Sequence, residues 1–267
     1  LALRDPSQRR TPDALRGAPA HEHVLLYAPT YNPEFSAEPA LGIDWVPRLR
    51  SAFPRLCIVI KPHPVIPERS PAWMERWKRW ASADALVRLA GDPSEDIYPY
   101  FPFADALLTD ASSVMFYFLA MDKPILLVTN PDRARCVKYF DPEAPEWTWR
   151  DLGVEVTPAT LSDAVRDALA HPEANAERRR FYRERVFGNL TDGKAAQHVG
   201  ENILALLAPE EERTEATRLA WWAKASLAER EAEILELERE RSRPLVQIIR
   251  DRARAFARST FCGGARA

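Results

Sequence analysis

Cysteine is scarce and badly spaced for a structural role. The chain has three, Cys57, Cys136 and Cys262, far apart and odd in number. Neither a disulfide framework nor a metal knuckle fits them, and a reducing compartment does. Glycine is scarce too, nine residues against 23 prolines. No G-x-G-x-x-G or P-loop run is present, which removes the two familiar glycine-rich phosphate loops. No G-x-S-x-G elbow surrounds a serine, which argues against a serine hydrolase. His21 and His23 form H-E-H, but no further His or Cys cluster completes a metal set. No stretch of about 18 apolar residues suggests a spanning helix. Charges stand among the first 20 residues where a signal peptide needs its apolar core. The formal net charge is only −2, so nothing favours nucleic acid as a partner. These absences leave a cytoplasmic globular protein, 46% hydrophobic and 28% charged, whose 267 residues hold one sizeable core and an appendage.

The stretch that organises the rest is 103–128, FADALLTDASSVMFYFLAMDKPILLV. It reads as a short buried strand (106–109), a polar turn (110–113), an apolar helix (114–121) and a second buried strand (125–128). Strand ends and a helix start converge at the turn, where unpaired N–H groups favour an anion. Ser112 and Ser113 add hydroxyls at the same place, and serine is also a preferred helix cap.

The chain around it alternates between the two periods. Residues 23–28 and 56–60 are apolar runs of strand length, the second almost wholly apolar and rich in β-branched residues, as in a parallel strand covered on both faces. A third strand is expected at 86–90 and a small one at 152–156. Helices are expected at 43–52, 71–82, 161–169, 175–186 and 194–207, with a short aromatic one within 94–103. Trp73, Trp77 and Trp80 share one face of the 71–82 helix and read as core. Residues 130–150 form a long irregular segment of the kind that is often functional. Strands alternating with helices argue for a doubly wound parallel sheet, which places a ligand at the carboxyl ends of the strands. Thr30, Lys61, His63, Asp110, Ser112 and Ser113 all fall there.

Lys61-Pro62-His63-Pro64 is a stiffened loop held for its side chains: a cation and an imidazole suited to an anionic ligand. Thr191-Asp192-Gly193-Lys194 reads as the start of the next helix. Asp192 suits ribose hydroxyls, Gly193 permits close backbone approach, and Lys194 suits phosphate. Residues 1–20 read as a linker or tail, 21–208 as the α/β domain and 209–267 as a charged helical extension. The extension has a thin apolar seam (Leu227, Ile234, Leu237) and, after Pro244, a basic amphipathic stretch suited to a partner or an anionic membrane surface.

Four pieces in order, VLLYAPTY (24–31), KPHP (61–64), ADALLTDASSVMFYFLAMDKPIL (104–126) and DGKAA (192–196), resemble the CDP-glycerol glycerophosphotransferase family of teichoic-acid and capsule polymerases. The resemblance implies that this chain is the C-terminal, donor-binding half of a GT-B fold, a Rossmann-like doubly wound sheet. It implies metal-independent transfer of glycerol phosphate from CDP-glycerol to a hydroxyl acceptor, a polyol phosphate or glycan, in cell-surface polymer synthesis, with no cofactor. His63 would contact the donor pyrophosphate or assist departure of CMP. Ser112 and Ser113 would bind phosphate, and Asp192, Gly193 and Lys194 would line the donor pocket. Ala111 replaces the family's aromatic in the D-x-S-S turn, and Tyr117 stands where an acid is common. The family's upstream H-G-x-P segment is missing, so this chain is expected to need an N-terminal acceptor domain and to work at the inner face of the cell membrane. Two other readings stay open: a nucleotide-sugar glycosyltransferase with the same phosphate cradle, and a non-catalytic nucleotide-binding scaffold.

Overall fold

The computed structural model describes residues 11–188 and 194–207. Asp192, Gly193 and the 209–267 extension therefore lie outside the described residues. The chain divides into two compact units, the first ending at Lys194 and the second beginning at Ala195. In the second, the described part is a helix, α9 (Ala195–Leu207).

The first unit is built on six parallel strands: β1 (His23–Tyr27), β2 (Leu56–Ile60), β3 (Val87–Leu89), β4 (Ala106–Thr109), β5 (Ile125–Val128) and β6 (Val154–Val156), in the order β3-β2-β1-β4-β5-β6. Alternate residues of each central strand point to opposite faces. Leu25, Tyr27, Ile58, Ile60 and Leu108 enter one core. Val24, Leu26, Cys57, Val59 and Leu107 enter the other. Both faces are therefore apolar, which is why β2, β4 and β5 are unbroken hydrophobic runs at the limits expected from sequence. Each fully buried Ile or Leu contributes roughly 1.5–3 kcal/mol.

The first face is covered by α1 (Ala37–Leu41), α2 (Trp45–Ala52), α3 (Ile66–Arg69), α4 (Pro71–Ala83) and α7 (Leu161–Ala170), which supply the buried residues that do not come from strands. Trp77 is fully buried and Trp73 and Trp80 pack beside it, so the tryptophan stripe is core. At its centre lies Glu38, 1% exposed. Its carboxylate accepts from Tyr27 Oη at 2.8 Å, Trp77 Nε1 at 2.9 Å, Trp45 Nε1 at 3.4 Å and Arg76 at 2.6 Å. A buried charge is tolerable only when its lone pairs are satisfied in this way.

The second face is covered by α5 (Val114–Phe118), α8 (Ala176–Phe187) and an aromatic turn around Tyr100 and Phe101. Two expectations change on this face. Residues 11–20 are not all linker: a 3-10 turn at Asp13–Leu15 buries Ala14 and Leu15, and Arg88 Nε holds the Ala14 carbonyl at 2.6 Å. The expected aromatic helix shrinks to one 3-10 turn, Tyr98–Tyr100, because Pro99 and Pro102 each remove a helical donor. In the long irregular segment, short turns flank α6 (Pro145–Thr148), and β6 begins two residues later than expected.

Candidate functional site

From β1 the chain builds outward to β3, then crosses back to place β4 on the other side of β1. The carboxyl ends of β1 and β4 are thus neighbours at the reversal, where a doubly wound sheet opens a crevice. The two ends are tied together: Thr109 Oγ1 donates to Ala28 O at 2.6 Å, and Ala28 N donates to Leu108 O at 3.0 Å. Above them lies a cleft of about 360 Å³. Pro29, Lys61, His63, Ser112 and Val114 line one side, and residues 94–97 line the other. Two segments about 50 residues apart in sequence, the KPHP loop and the serine turn, therefore share one cavity.

His63 is half-buried, and its Nδ1 accepts the Val65 N–H at 3.3 Å. That contact puts the proton of the neutral ring on Nε2, leaving a donor for an anion. Burial, and then the neighbouring Lys61 cation, hold its pKa below the usual imidazole value. Ser112 Oγ accepts the Val114 N–H at 3.4 Å, so its hydroxyl hydrogen remains available to a ligand. Ser113 is exposed at the cap position of α5 and makes no side-chain capping bond. The helix behind them is shorter than the sequence suggests. Five α residues give way to a 3-10 turn at Leu119–Met121, stopped by Asp122 in the left-handed region (φ 55°). The dipole of so short a helix is small, and the local hydroxyls and N–H groups carry the polarity.

Two of the expected ligand residues serve the backbone instead. Asp110 is fully buried. Its carboxylate accepts the Ala37 N–H at 2.8 Å and the Thr30 N–H at 3.0 and 3.1 Å. It fastens the loop after β1 and does not face the cleft. Burial pushes its pKa up to about 7, against the pull of those donors and of Arg150. Lys61 is 4% exposed, and its Nζ donates to Pro93 O at 2.8 Å and Pro62 O at 3.2 Å. It braces the opposite wall; burial lowers its pKa while Glu95, Asp92 and Asp96 oppose the shift. A side chain with its polar atoms engaged in this way is a poor ligand group. Thr30 follows the cleft-lining Pro29 but does not itself line the cleft, and its backbone N–H is held by Asp110. Lys194 is exposed and does not line the cleft.

Sequence reasoning missed three contributors. Residues 94–97 form a wall of the cleft, held by Lys61 and by Asp92, whose Oδ1 accepts from Ser94 N at 2.8 Å. Tyr31 packs on His63, ring centroids 4.8 Å apart. Arg150, from the irregular segment, donates to Asp110 O at 3.3 Å, Thr129 Oγ1 at 2.9 Å and Glu155 Oε1 at 2.8 Å. Tyr31 ends the 24–31 piece and Arg150 the irregular 130–150 segment, but the sequence assigns neither a role, because each contribution is defined by contacts to distant loops. A roomier apolar cavity, about 560 Å³, opens between the starts of β5 and β6 and α7. It includes none of the strand-end groups. Among the described residues no cluster of three His, Cys, Asp or Glu is arranged to hold a metal ion.

Comparison with known proteins points the same way as the cleft. The sequence profile described as CDP-Glycerol:Poly(glycerophosphate) glycerophosphotransferase matches residues 7–205. None of the curated proteins is similar enough to count as a match. Among solved structures, the wall teichoic acid polymerase TagF is 19% identical, with a TM-score of 0.49 over 69% of this chain and 44% of that one. An α,α-trehalose-phosphate synthase from Burkholderia vietnamiensis is 12% identical, with a TM-score of 0.44 over 71% of this chain and 46% of that one. The E. coli ADP-heptose LPS heptosyltransferase II is 11% identical, with a TM-score of 0.42 over 58% of this chain and 49% of that one. The chain spans less than half the length of each of these structures.

Proposed function

The chain belongs to the CDP-glycerol:poly(glycerophosphate) glycerophosphotransferase family, and from that premise we propose that it is the donor-binding half of a transferase that moves glycerol phosphate, or a similar polyol phosphate, from a CDP-activated donor to a hydroxyl acceptor in cell-surface polymer synthesis. The observation that carries this reading is the shared cleft, which sets the His63 imidazole and the Ser112 hydroxyl at the reversal point of a parallel sheet. A diphosphate needs several fixed donors and no reorganisation as charge moves.

In the proposed reaction the acceptor oxygen attacks the phosphorus bearing the glycerol. The bond from that phosphorus to the bridging oxygen breaks, and CMP leaves with the electron pair. Negative charge grows on the departing phosphate, where His63 Nε2–H donates and, when the ring is protonated, adds a full charge. Ser112 and Ser113 hold non-bridging oxygens. Lys61 and Asp110 act indirectly by fixing the two walls. The acceptor and the base that takes its proton belong, in this reading, to an N-terminal domain. The work is done in the cytoplasm at the inner face of the membrane, and no described helix is long and apolar enough to cross it.

Calorimetric titration with CDP-glycerol, CDP-ribitol, UDP-glucose and GDP-mannose tests the assignment. The CDP-alcohols should bind, and His63→Ala and Ser112→Ala should each weaken them about tenfold or more. Tight binding of a UDP-sugar with none to a CDP-alcohol would overturn the choice of donor. Undiminished turnover by both variants, placed in a chain that carries the acceptor half, would favour a scaffold.

A further inference from the structure

The cleft has a charge problem. The lysine that lines it, Lys61, donates to two carbonyls, and Arg150, which reaches the Asp110 carbonyl, is engaged by Glu155 and Thr129. Its far wall brings Glu95 and Asp96, carboxylates that disfavour a polyanion. Something must offset the charge of a diphosphate, and among the described residues Arg69, outside the cleft, is placed to do so.

Arg69 closes α3, which begins three residues after His63 and is anchored by the fully buried Ile66. It is exposed, and its guanidinium carbon lies over the Tyr31 ring, 5.3 Å from the centroid. The same ring contacts His63 at 4.8 Å. Tyr31 and Arg69 do not line the cleft, so they stand on the flank of His63 outside it. Among the described residues Arg69 makes no ion pair, and its one recorded side-chain partner is the aromatic face. A guanidinium lying over a ring is held in place while its edge donors remain free for the oxygens of one phosphate. The platform is itself fixed, because the Thr30 N–H next to Tyr31 is held by buried Asp110.

We propose that Tyr31 and Arg69 form an outer phosphate position on the flank of His63, separate from the cleft that takes the nucleoside side of the donor. This rests on the donor-half reading above. The occupant is a phosphate of one of two origins: the phosphoryl group in transit, or the terminal phosphate of an anionic acceptor. In either case Arg69 adds a guanidinium with free donors to the positive charge of Lys61, whose ammonium is turned to two carbonyls.

Three ligands separate the possibilities: CMP, CDP-glycerol and sn-glycerol 3-phosphate, each titrated by calorimetry into the wild-type chain, Arg69→Gln and Tyr31→Leu. Arg69 is exposed, so its replacement should leave the fold intact; thermal melts confirm this. If the occupant is the transferred phosphoryl, Arg69→Gln weakens CDP-glycerol about tenfold and CMP less than about twofold, with Tyr31→Leu intermediate. If it is the acceptor's phosphate, Arg69→Gln weakens glycerol 3-phosphate and spares both nucleotides. Equal binding of all three ligands by wild type and Arg69→Gln would overturn the proposal. So would an equal loss for CMP and CDP-glycerol, which would make Arg69 a general electrostatic contributor. A wild-type chain that binds glycerol 3-phosphate through Arg69 but no nucleotide would sink the donor assignment and keep the outer position. A chain that binds none of the three would sink both.

Discussion

Replacing Asp110 offers the sharpest test of how the site is held, because the geometry predicts an ordered series. Asp110→Ala strands the buried Ala37 N–H and the part-buried Thr30 N–H and leaves a small void. Each unsatisfied buried donor costs about 1–3 kcal/mol, so the pair costs about 2–6 kcal/mol. Asp110→Asn should cost less. An amide oxygen in the place of Oδ2 still meets Ala37 N at 2.8 Å and Thr30 N at 3.0 Å. What is lost is the charge assistance to those two bonds, and what is gained is relief from burying a charge, which the raised pKa shows to be the larger effect once the group ionises. Urea unfolding at constant m-value reads both changes. Stability of the alanine variant within about 0.5 kcal/mol of wild type would refute the role assigned to this carboxylate. The pH dependence provides an independent check. The folded pKa of about 7 is raised, by burial, above the ordinary carboxyl value. A raised folded pKa means the contribution is complete below the unfolded pKa of about 3.9 and is lost as pH rises through the folded value. Wild type should therefore lose stability relative to Asp110→Asn from about pH 4 to about pH 7. A relative gain by wild type over that interval would show that the N–H donors outweigh burial.

Lys61→Met should act on stability before binding: it removes one charged donor contact to the 92–96 loop, at Pro93 O, and one to Pro62 O in its own loop, about 1.5–3 kcal/mol in total, seen as a lower urea midpoint with faster amide exchange in the 92–96 loop. Glu38→Gln should cost about 3–5 kcal/mol, because Arg76 is left without its charge partner in the core; near-ultraviolet circular dichroism of Trp45 and Trp77 would report the repacking. Donor affinity should rise as pH falls through the His63 pKa, which burial and Lys61 set below the usual imidazole range, since the protonated ring attracts the diphosphate. A flat affinity profile that persists in His63→Ala would show that the ring takes no part.

The ligand-end placement was legible because it follows from strand order alone. Once 23–28, 56–60 and 106–109 are parallel neighbours, the residues just after them must meet at one rim. His63 and Ser112 needed nothing more. Lys61 and Asp110 stand at the same rim and were read the same way, yet their polar atoms turn to backbone groups 32, 73 and 80 positions away. Tyr31 ends the 24–31 piece but has no role legible there, Arg69 carried no motif, and what links them to His63 is a pair of ring contacts between separate loops.

The amino-acid sequence by itself determined the sheet: continuous apolar runs can be buried only between two helical layers, and the turns between them fix which end gathers the polar residues. The tertiary structure decided which of those polar residues look outward. That choice belongs to the loops at 30–37 and 92–96, whose unpaired N–H and C=O groups demand partners and take the nearest buried charge. A carboxylate or ammonium at a strand end is available to a ligand only if no folded loop has claimed it first.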